Sequence, residues 1–315
     1  MNLGTAHFSV SVALCTYNGA NYLRAQLDSI LNQTRPADEI VIIDDCSTDD
    51  TLAIIQDYAK RSAIIKYFIN EHNLGYVQNF SKAISKTSGD FVALSDQDNI
   101  WTNDHIEKLL NNIGDKAVCV GDTIMIDARG NETDERFSDI KQNYYIPEND
   151  VQKAYRIVYN YNPYQGASML IDRKWVDAYL PIPAEAGYHD TYLAGCASLT
   201  QGLSVIPDIV TKYRVHEGQV TSSWRVTVFN EIRHRRHFIC FPSKHVLIDR
   251  VLDRTQTISP DALAFINEFK RIMDLDKQNK RLRILRIKNR HYKEIYSSFS
   301  YKHILLRSLH FLLSL

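Results

Sequence analysis

Four apolar runs, each closed by a polar break and followed by a helical pattern, decide most of what this chain can become. The runs are Phe8 to Leu14, Glu39 to Ile43, Ile64 to Ile69 and Phe91 to Leu94. After the first, Leu23, Leu27, Ile30 and Leu31 recur with the spacing of one helix face, and Pro36 closes the segment. Leu52, Ile55 and Ala59 repeat the pattern after the second, with Ser47 or Thr48 placed to cap it; Val77, Phe80 and Ile84 repeat it after the third. Strands that alternate with single helices predict a parallel sheet with right-handed crossovers. All four strands then end on one edge, which gathers Thr16, Tyr17, Asp44, Asp45, Asn73, Asp96 and Asp98. The first strand is followed by Thr16-Tyr17-Asn18-Gly19, with neither G-x-G-x-x-G nor GK[ST], so phosphates at this edge must be met through a metal.

The fourth run stops in Ser95-Asp96-Gln97-Asp98-Asn99-Ile100-Trp101, and a helical pattern is read from Trp101 through Ile113. Two carboxylates one residue apart at the end of a buried strand suit Mg²⁺ or Mn²⁺, which take oxygen ligands and share them with substrate phosphates. The competing reading is a polar turn in which Asp98 or Asn99 caps the next helix. Further along, Ala117 to Ile126 reads as a strand, and Glu132 to Val151 as a long loop or lid. Gly166 heads another apolar strand. Ala186 to Asp190 is a polar break before an apolar helix from Thr191 to Leu199, and a strand from Leu203 to Val210 precedes Tyr213-Arg214-Val215-His216.

Taken together, Leu14-Cys15-Thr16-Tyr17-Asn18-Gly19, Val41-Ile42-Ile43-Asp44-Asp45-Cys46-Ser47 and the Asp96 motif resemble the family 2 glycosyltransferases. The S-D-Q-D-x-I-W form is most similar to their rhamnosyltransferase-like subgroup, which builds bacterial surface polysaccharides. Gly166-Ala167-Ser168-Met169, His189-Asp190 and Tyr213-Arg214-x-His216 continue the likeness, which covers residues 8 to 220. The resemblance implies an α/β GT-A fold, a Rossmann-like, mostly parallel sheet flanked by helices. It also implies roles. Thr16 lies in the donor site; Tyr17 stacks on the nucleotide base and Asp45 accepts from it. Asp96 faces the ribose or donor sugar, and Asn79 presents a polar group to the donor. Asp98 ligates a Mg²⁺ or Mn²⁺ ion on the diphosphate, His216 adds a metal or phosphate contact, and Asp190 is the catalytic base. For His216 a hydrogen-bonded structural histidine is the alternative.

Two residues depart from the family pattern. Asn99 stands where a third acid is usual, which weakens the metal site or only changes a supporting bond. His189 stands where Glu is common, and as a cation it would favour the ionised form of Asp190. The Q-x-x-R-W signature of processive synthases is absent, so one sugar, or few, is added per encounter. The implied reaction is inverting transfer, rhamnose first among the sugars, from a nucleotide-sugar donor to a saccharide acceptor held on a polyprenyl lipid. A catalytically silent homologue that binds glycan, and a nucleotidyltransferase, are the competing classes. The first is disfavoured by the intact Asp45, Asp98 and Asp190, the second by the lack of a Gly-rich basic loop.

Lys+Arg and Asp+Glu are both 37, so net charge excludes nothing, but its distribution is informative. The catalytic domain is read as residues 1–225, followed by a basic helical extension over 226–315. From Arg281 to Leu315 eight basic residues face one acid, Glu294, and the run ends in Leu- and Ile-rich sequence. That composition fits an interfacial helix on an anionic membrane, and hence a cytoplasmic protein peripheral to the inner face of the cell membrane. No motif for nucleic acid accompanies the basic residues. Five scattered cysteines give no disulfide framework or zinc site, and the start of the chain is not a signal peptide.

Overall fold

The structure is a computed structural model that describes residues 8–140, 149–159, 162–217, 219, 242–278 and 280–291. Its elements in order are β1 (Val10–Thr16), α1 (Leu23–Leu31), β2 (Glu39–Asp44), α2 (Thr51–Arg61), β3 (Ile65–Ile69), α3 (Tyr76–Lys86), β4 (Phe91–Ser95), β5 (Ile100–Trp101) and α4 (His105–Ile113). Then come β6 (Val118–Ile126), β7 (Glu132–Arg136), α5 (Phe137–Ile140), α6 (Asp150–Tyr159), β8 (Met169–Asp172), α7 (Arg173–Asp177), α8 (His189–Leu199) and β9 (Leu203–Arg214). Helices α9 (Pro242–Arg254), α10 (Pro260–Lys277) and α11 (Arg281–Arg290) follow.

One nine-stranded sheet has the order β3-β2-β1-β4-β8-β6-β9-β5, with β7 beside β6. Strands β1 to β4 are parallel to one another, and β8 runs antiparallel to β4 and β6. Their side chains divide between two cores. Val12, Leu14, Ile40, Ile42 and Ala93 meet α1, α2 and α4 on one face; Ala13, Cys15, Val41, Ile43 and Leu94 meet α3, α6 and α8 on the other. Covering both faces explains why these strands are continuous apolar runs instead of alternating ones.

Several boundaries differ from the sequence reading. The helical pattern from Trp101 begins as β5, which pairs with β9 through Ile100↔Lys212 and Trp101↔Thr211, and α4 starts only at His105. The Trp101 ring, fully buried, stacks on His105 at 3.8 Å, so its apolar character serves the packing of a bend. Asp98 and Asn99 therefore do not cap that helix. Within the span read as a loop, β7 and α5 form and α6 begins at Asp150, while residues 141–148 lie outside the described residues. Strand β7 is largely exposed and pairs through its backbone, which leaves no hydrophobic pattern to read. Gly166 to Ser168 is a short 3₁₀ turn before β8. Neither Ser47 nor Thr48 caps α2: Asp50 holds the cap position without a side-chain capping bond, and Asp49 Oδ1 accepts from the Thr51 amide at 3.0 Å just before it. Ser47 is otherwise engaged, donating to Asp44 and accepting from the Asn18 amide.

The extension after residue 225 joins the main core. Leu247, Ile248 and Val251 of α9, Phe265, Ile266 and Phe269 of α10, and Ile284 and Ile287 of α11 are buried in the same cluster as α6 and α8. Among the described residues no helix is long and apolar enough to cross a membrane. The Leu-rich end on which the membrane reading rests, residues 292–315, lies outside them.

Candidate active site

Register sets the floor of the site. Thr16 pairs with Asp44, Leu14 with Ser95 and Asp44 with Ile69, so Tyr17, Asp45, Asn70 and Asp96 all leave the sheet at one edge. Tyr17 is half exposed at 49 % and presents its ring there. Its backbone is held by Gln97, whose amide accepts from Tyr17 N at 2.8 Å and donates to Tyr17 O at 2.9 Å. Gly19 makes this clamp possible, since a Cβ there would collide with Gln97 Oε1. Sequence reasoning passed over Gln97 because it sits between two acids that attract all the attention. We expect Gly19→Ala and Gln97→Ala each to cost about 0.5–1.5 kcal/mol in denaturant unfolding, the loss of the two exposed hydrogen bonds of the clamp. Because both act on one contact, the double variant should cost little more than either alone. Full additivity would dissociate Gly19 from the clamp.

Asp45 is buried, and its carboxylate accepts from Asn70 Nδ2 at 2.7 Å, Leu74 N at 2.8 Å and Gly75 N at 2.9 Å. Gly75 has φ +76°, a conformation that glycine alone adopts without strain, and α3 starts from it. Asn79, expected to face the donor, lies deeper. It is buried one layer behind the cleft, donating to Ile43 O at 3.0 Å and accepting from Asn70 at 2.9 Å. Its Nδ2 is taken by Ile43 O and its Oδ1 by Asn70, which in turn holds Asp45, so its side chain supports the Asp45 turn. Thr16 is likewise buried, with Oγ1 donating to Asp44 at 2.7 Å, and its side chain braces the turn.

The second half of the site is assembled by the β5–β9 pairing, which carries His216 to Asp98 across 118 positions of sequence. His216 Nε2 lies 3.1 Å from Asp98 Oδ2. Arg214 fixes the same loop from behind: its Nε donates to Asp98 O at 2.8 Å, and its guanidinium lies 4.8 Å from the Tyr22 ring centre. Tyr22 in turn packs on His216 at 4.6 Å. Asn99 is fully buried, accepting from the Arg214 amide at 3.2 Å and donating to Asp96 at 3.4 Å. Asn99 thus ties the acid loop to β9 from within.

Asp96, Asp98 and Asp190 share one electrostatic neighbourhood. Burial, then the charges of Asp98 and Asp190, push the Asp96 carboxyl up to about 8. Asp190 sits in the first turn of α8, after Tyr188 at the cap position, and its Oδ1 accepts from Thr191 N at 2.5 Å. It is therefore inside the helix and not its cap. His189 also differs from expectation: burial pulls its pKa down, so at neutral pH it is an uncharged imidazole and adds no cation beside Asp190. A feature the sequence did not announce is Lys244 of α9, buried, donating to Ile157 O at 2.8 Å. Burial lowers its pKa to about 7 against the opposing pull of Asp190.

Among the described residues no group of three or more His, Cys, Asp or Glu is arranged to hold a metal. Asp98 and His216 supply two adjacent donors beside Asp96, whose carboxyl is crowded by acidic neighbours that a cation would offset. That set fits a Mg²⁺ or Mn²⁺ ion that draws its remaining ligands from substrate phosphates and water.

A parallel α/β sheet with acids gathered at its C-terminal edge and a carboxylate on a facing helix is the GT-A arrangement. Residues 11–179, more than half of the chain, match the model of glycosyl transferase family 2, and the chain belongs to that family. Over 101 residues it is 39 % identical to the putative teichuronic acid biosynthesis glycosyltransferase TuaG of Bacillus subtilis. The match spans 32 % of this chain and 40 % of TuaG, so less than half of that relative is shared. Two solved structures share the fold. S. aureus TarS 1–349 in complex with UDP-GlcNAc gives a TM-score of 0.57 at 17 % identity, covering 91 % of this chain and 81 % of that one. The mannosyltransferase PcManGT from Pyrobaculum calidifontis, in complex with GDP-Man and Mn²⁺, gives 0.56 at 18 % identity, covering 98 % and 81 %.

Proposed function

We propose that this protein transfers a single sugar from a nucleoside-diphosphate donor to a saccharide acceptor, with inversion, in the assembly of a bacterial cell-surface polysaccharide. The observation that carries the reading is the convergence of Asp96, Asp98 and Asp190 at the edge where Tyr17 and Asp45 leave the sheet. Tyr17 offers a flat face to a base, and the Asp45 turn sets the depth of the pocket. Asp98 and His216 would hold a divalent cation, which supplies neutralisation of the departing diphosphate. The acceptor hydroxyl attacks the anomeric carbon as the bond to the diphosphate oxygen breaks, and its proton passes to the Asp190 carboxylate. The diphosphate leaves with the electron pair of the broken bond. Rhamnose is the first sugar to try, on the strength of the S-D-Q-D-x-I-W motif. A lipid-linked acceptor on an anionic membrane stays in the proposal on the basic composition after Arg281, and salt-sensitive co-sedimentation of the full chain with anionic vesicles tests it.

The deciding experiment is a thermal-shift panel of UDP-, GDP- and dTDP-sugars with Mn²⁺ or Mg²⁺. A ligand at a hundred times its Kd adds about 2.7 kcal/mol of stability. One donor class should raise Tm by several degrees, and EDTA should cancel the rise. No shift with any nucleotide sugar would remove the donor reading.

A further inference from the structure

Beside Asp190 two aromatic rings stand in the open, against the normal tendency of such residues to be buried. Tyr188 is 50 % exposed and Tyr76 is 37 % exposed. Their ring centres are 5.8 Å apart, tilted by 32°. The pair is built, not incidental. Tyr76 starts α3 and its hydroxyl donates to Gly187 O at 2.6 Å, tying the first helix turn after the Asp45 loop to the segment that introduces Asp190. Gly187 has φ +78°, so the turn that sets Tyr188 outward is one a side chain would strain. The charge of Asp190 is felt at the Tyr76 phenol, whose pKa is raised to about 12 by burial, then Tyr188, then Asp190.

A third ring backs the pair from inside the protein. His189 is buried, stacked on Phe80 at 3.9 Å and edge-on to Tyr76 at 6.4 Å, and neither of its ring nitrogens has a hydrogen-bond partner among the described residues. A buried polar atom left unpaired costs about 1–3 kcal/mol, so such groups are conspicuous.

Resting on the transferase reading above, we infer that Tyr76 and Tyr188 form the platform for the acceptor sugar, with the buried His189 and Phe80 rings as its backing. The C–H face of a pyranose ring is weakly positive and settles on the negative face of an aromatic ring. A sugar seated there has its hydroxyls next to Asp190. The chemical class selected is a pyranoside with an apolar face, and the specificity lies in which hydroxyl then meets the carboxylate.

The test uses the full chain, loaded with UDP or GDP, and a panel of methyl glycosides of glucose, N-acetylglucosamine, galactose, mannose and rhamnose read by saturation-transfer NMR. Wild type should saturate the ring C–H protons of at least one glycoside. Tyr188→Ala should cut that saturation at least about tenfold, and Tyr188→Phe should keep it within about twofold, since the ring and not the hydroxyl is the contact. Tyr76→Phe, which keeps the ring and releases Gly187, should give an intermediate loss. Undiminished saturation in Tyr188→Ala, or no glycoside saturated by wild type, overturns the platform. Wild-type protein that binds no nucleotide in the thermal-shift panel overturns the donor reading instead, so the two failures are distinct.

Discussion

Asp190→Asn should fold, melt near wild type and bind donor, yet lose transfer by at least about a hundredfold, the lower end of what general-base help contributes. A sugar hydroxyl is a weak nucleophile at neutral pH, so the proton must leave as the new bond forms. Asparagine keeps an oxygen where Asp190 Oδ1 accepts from Thr191 N, and Asp190 is not the cap of α8, so no capping interaction is lost. What disappears is a negative charge in the first helical turn, which stabilises an exposed helix by about 0.3–1 kcal/mol. The buried Lys244 loses the same charge, and its pKa, already lowered to about 7, should fall further. The measurement is a paired one: transfer rate with saturating donor and acceptor, and the melting curve. Transfer within a few-fold of wild type removes Asp190 from the chemistry.

Asp98→Asn should weaken the divalent-cation dependence of donor binding by at least about tenfold, a loss comparable to disturbing the partners that support a metal ligand. The substitution is nearly isosteric, and Asn can still hydrogen-bond His216 Nε2, which now lies 3.1 Å from Asp98 Oδ2. Arg214 would continue to hold the loop through the Asp98 carbonyl. Folding should therefore be spared and the charge alone removed. Titrating Mn²⁺ against a fixed nucleotide sugar gives the readout, with EDTA as the zero point. If the variant requires no more Mn²⁺ than wild type, Asp98 serves only as the partner of His216.

The parallel half of the fold was written in four apolar runs, because strands buried on both faces leave no choice but continuous Val, Ile, Leu and Ala. The residues that end those runs were legible for the same reason: Tyr17, Asp45 and Asp96 follow the last buried position of β1, β2 and β4. For Asn79 a buried amide and an exposed one look alike in a string of letters, and only packing shows its bonds to Ile43 and Asn70. Asp98 and His216 could each be named from motif likeness, but their contact was out of reach, since it depends on the two-residue strand β5 finding β9. Gln97 and Lys244 gave no warning at all. One works through backbone hydrogen bonds, the other reaches its place only because α9 folds back onto α8.

That return of α9 has a bearing on how the enzyme can be taken apart. A Cβ on Gly195 would collide with Leu247 Cδ1, so the helix carrying Asp190 and the helix beyond residue 225 touch at a point bare of side chain. Phe265 and Phe269 pack on Tyr159 of α6, the helix that lies beside α8 in the same core. A fragment ending at residue 225 would expose an oily trench along the back of the very helix that holds the base, while leaving every motif of the family intact. Motif-guided trimming would yield a chain with all its chemistry and no wall behind it.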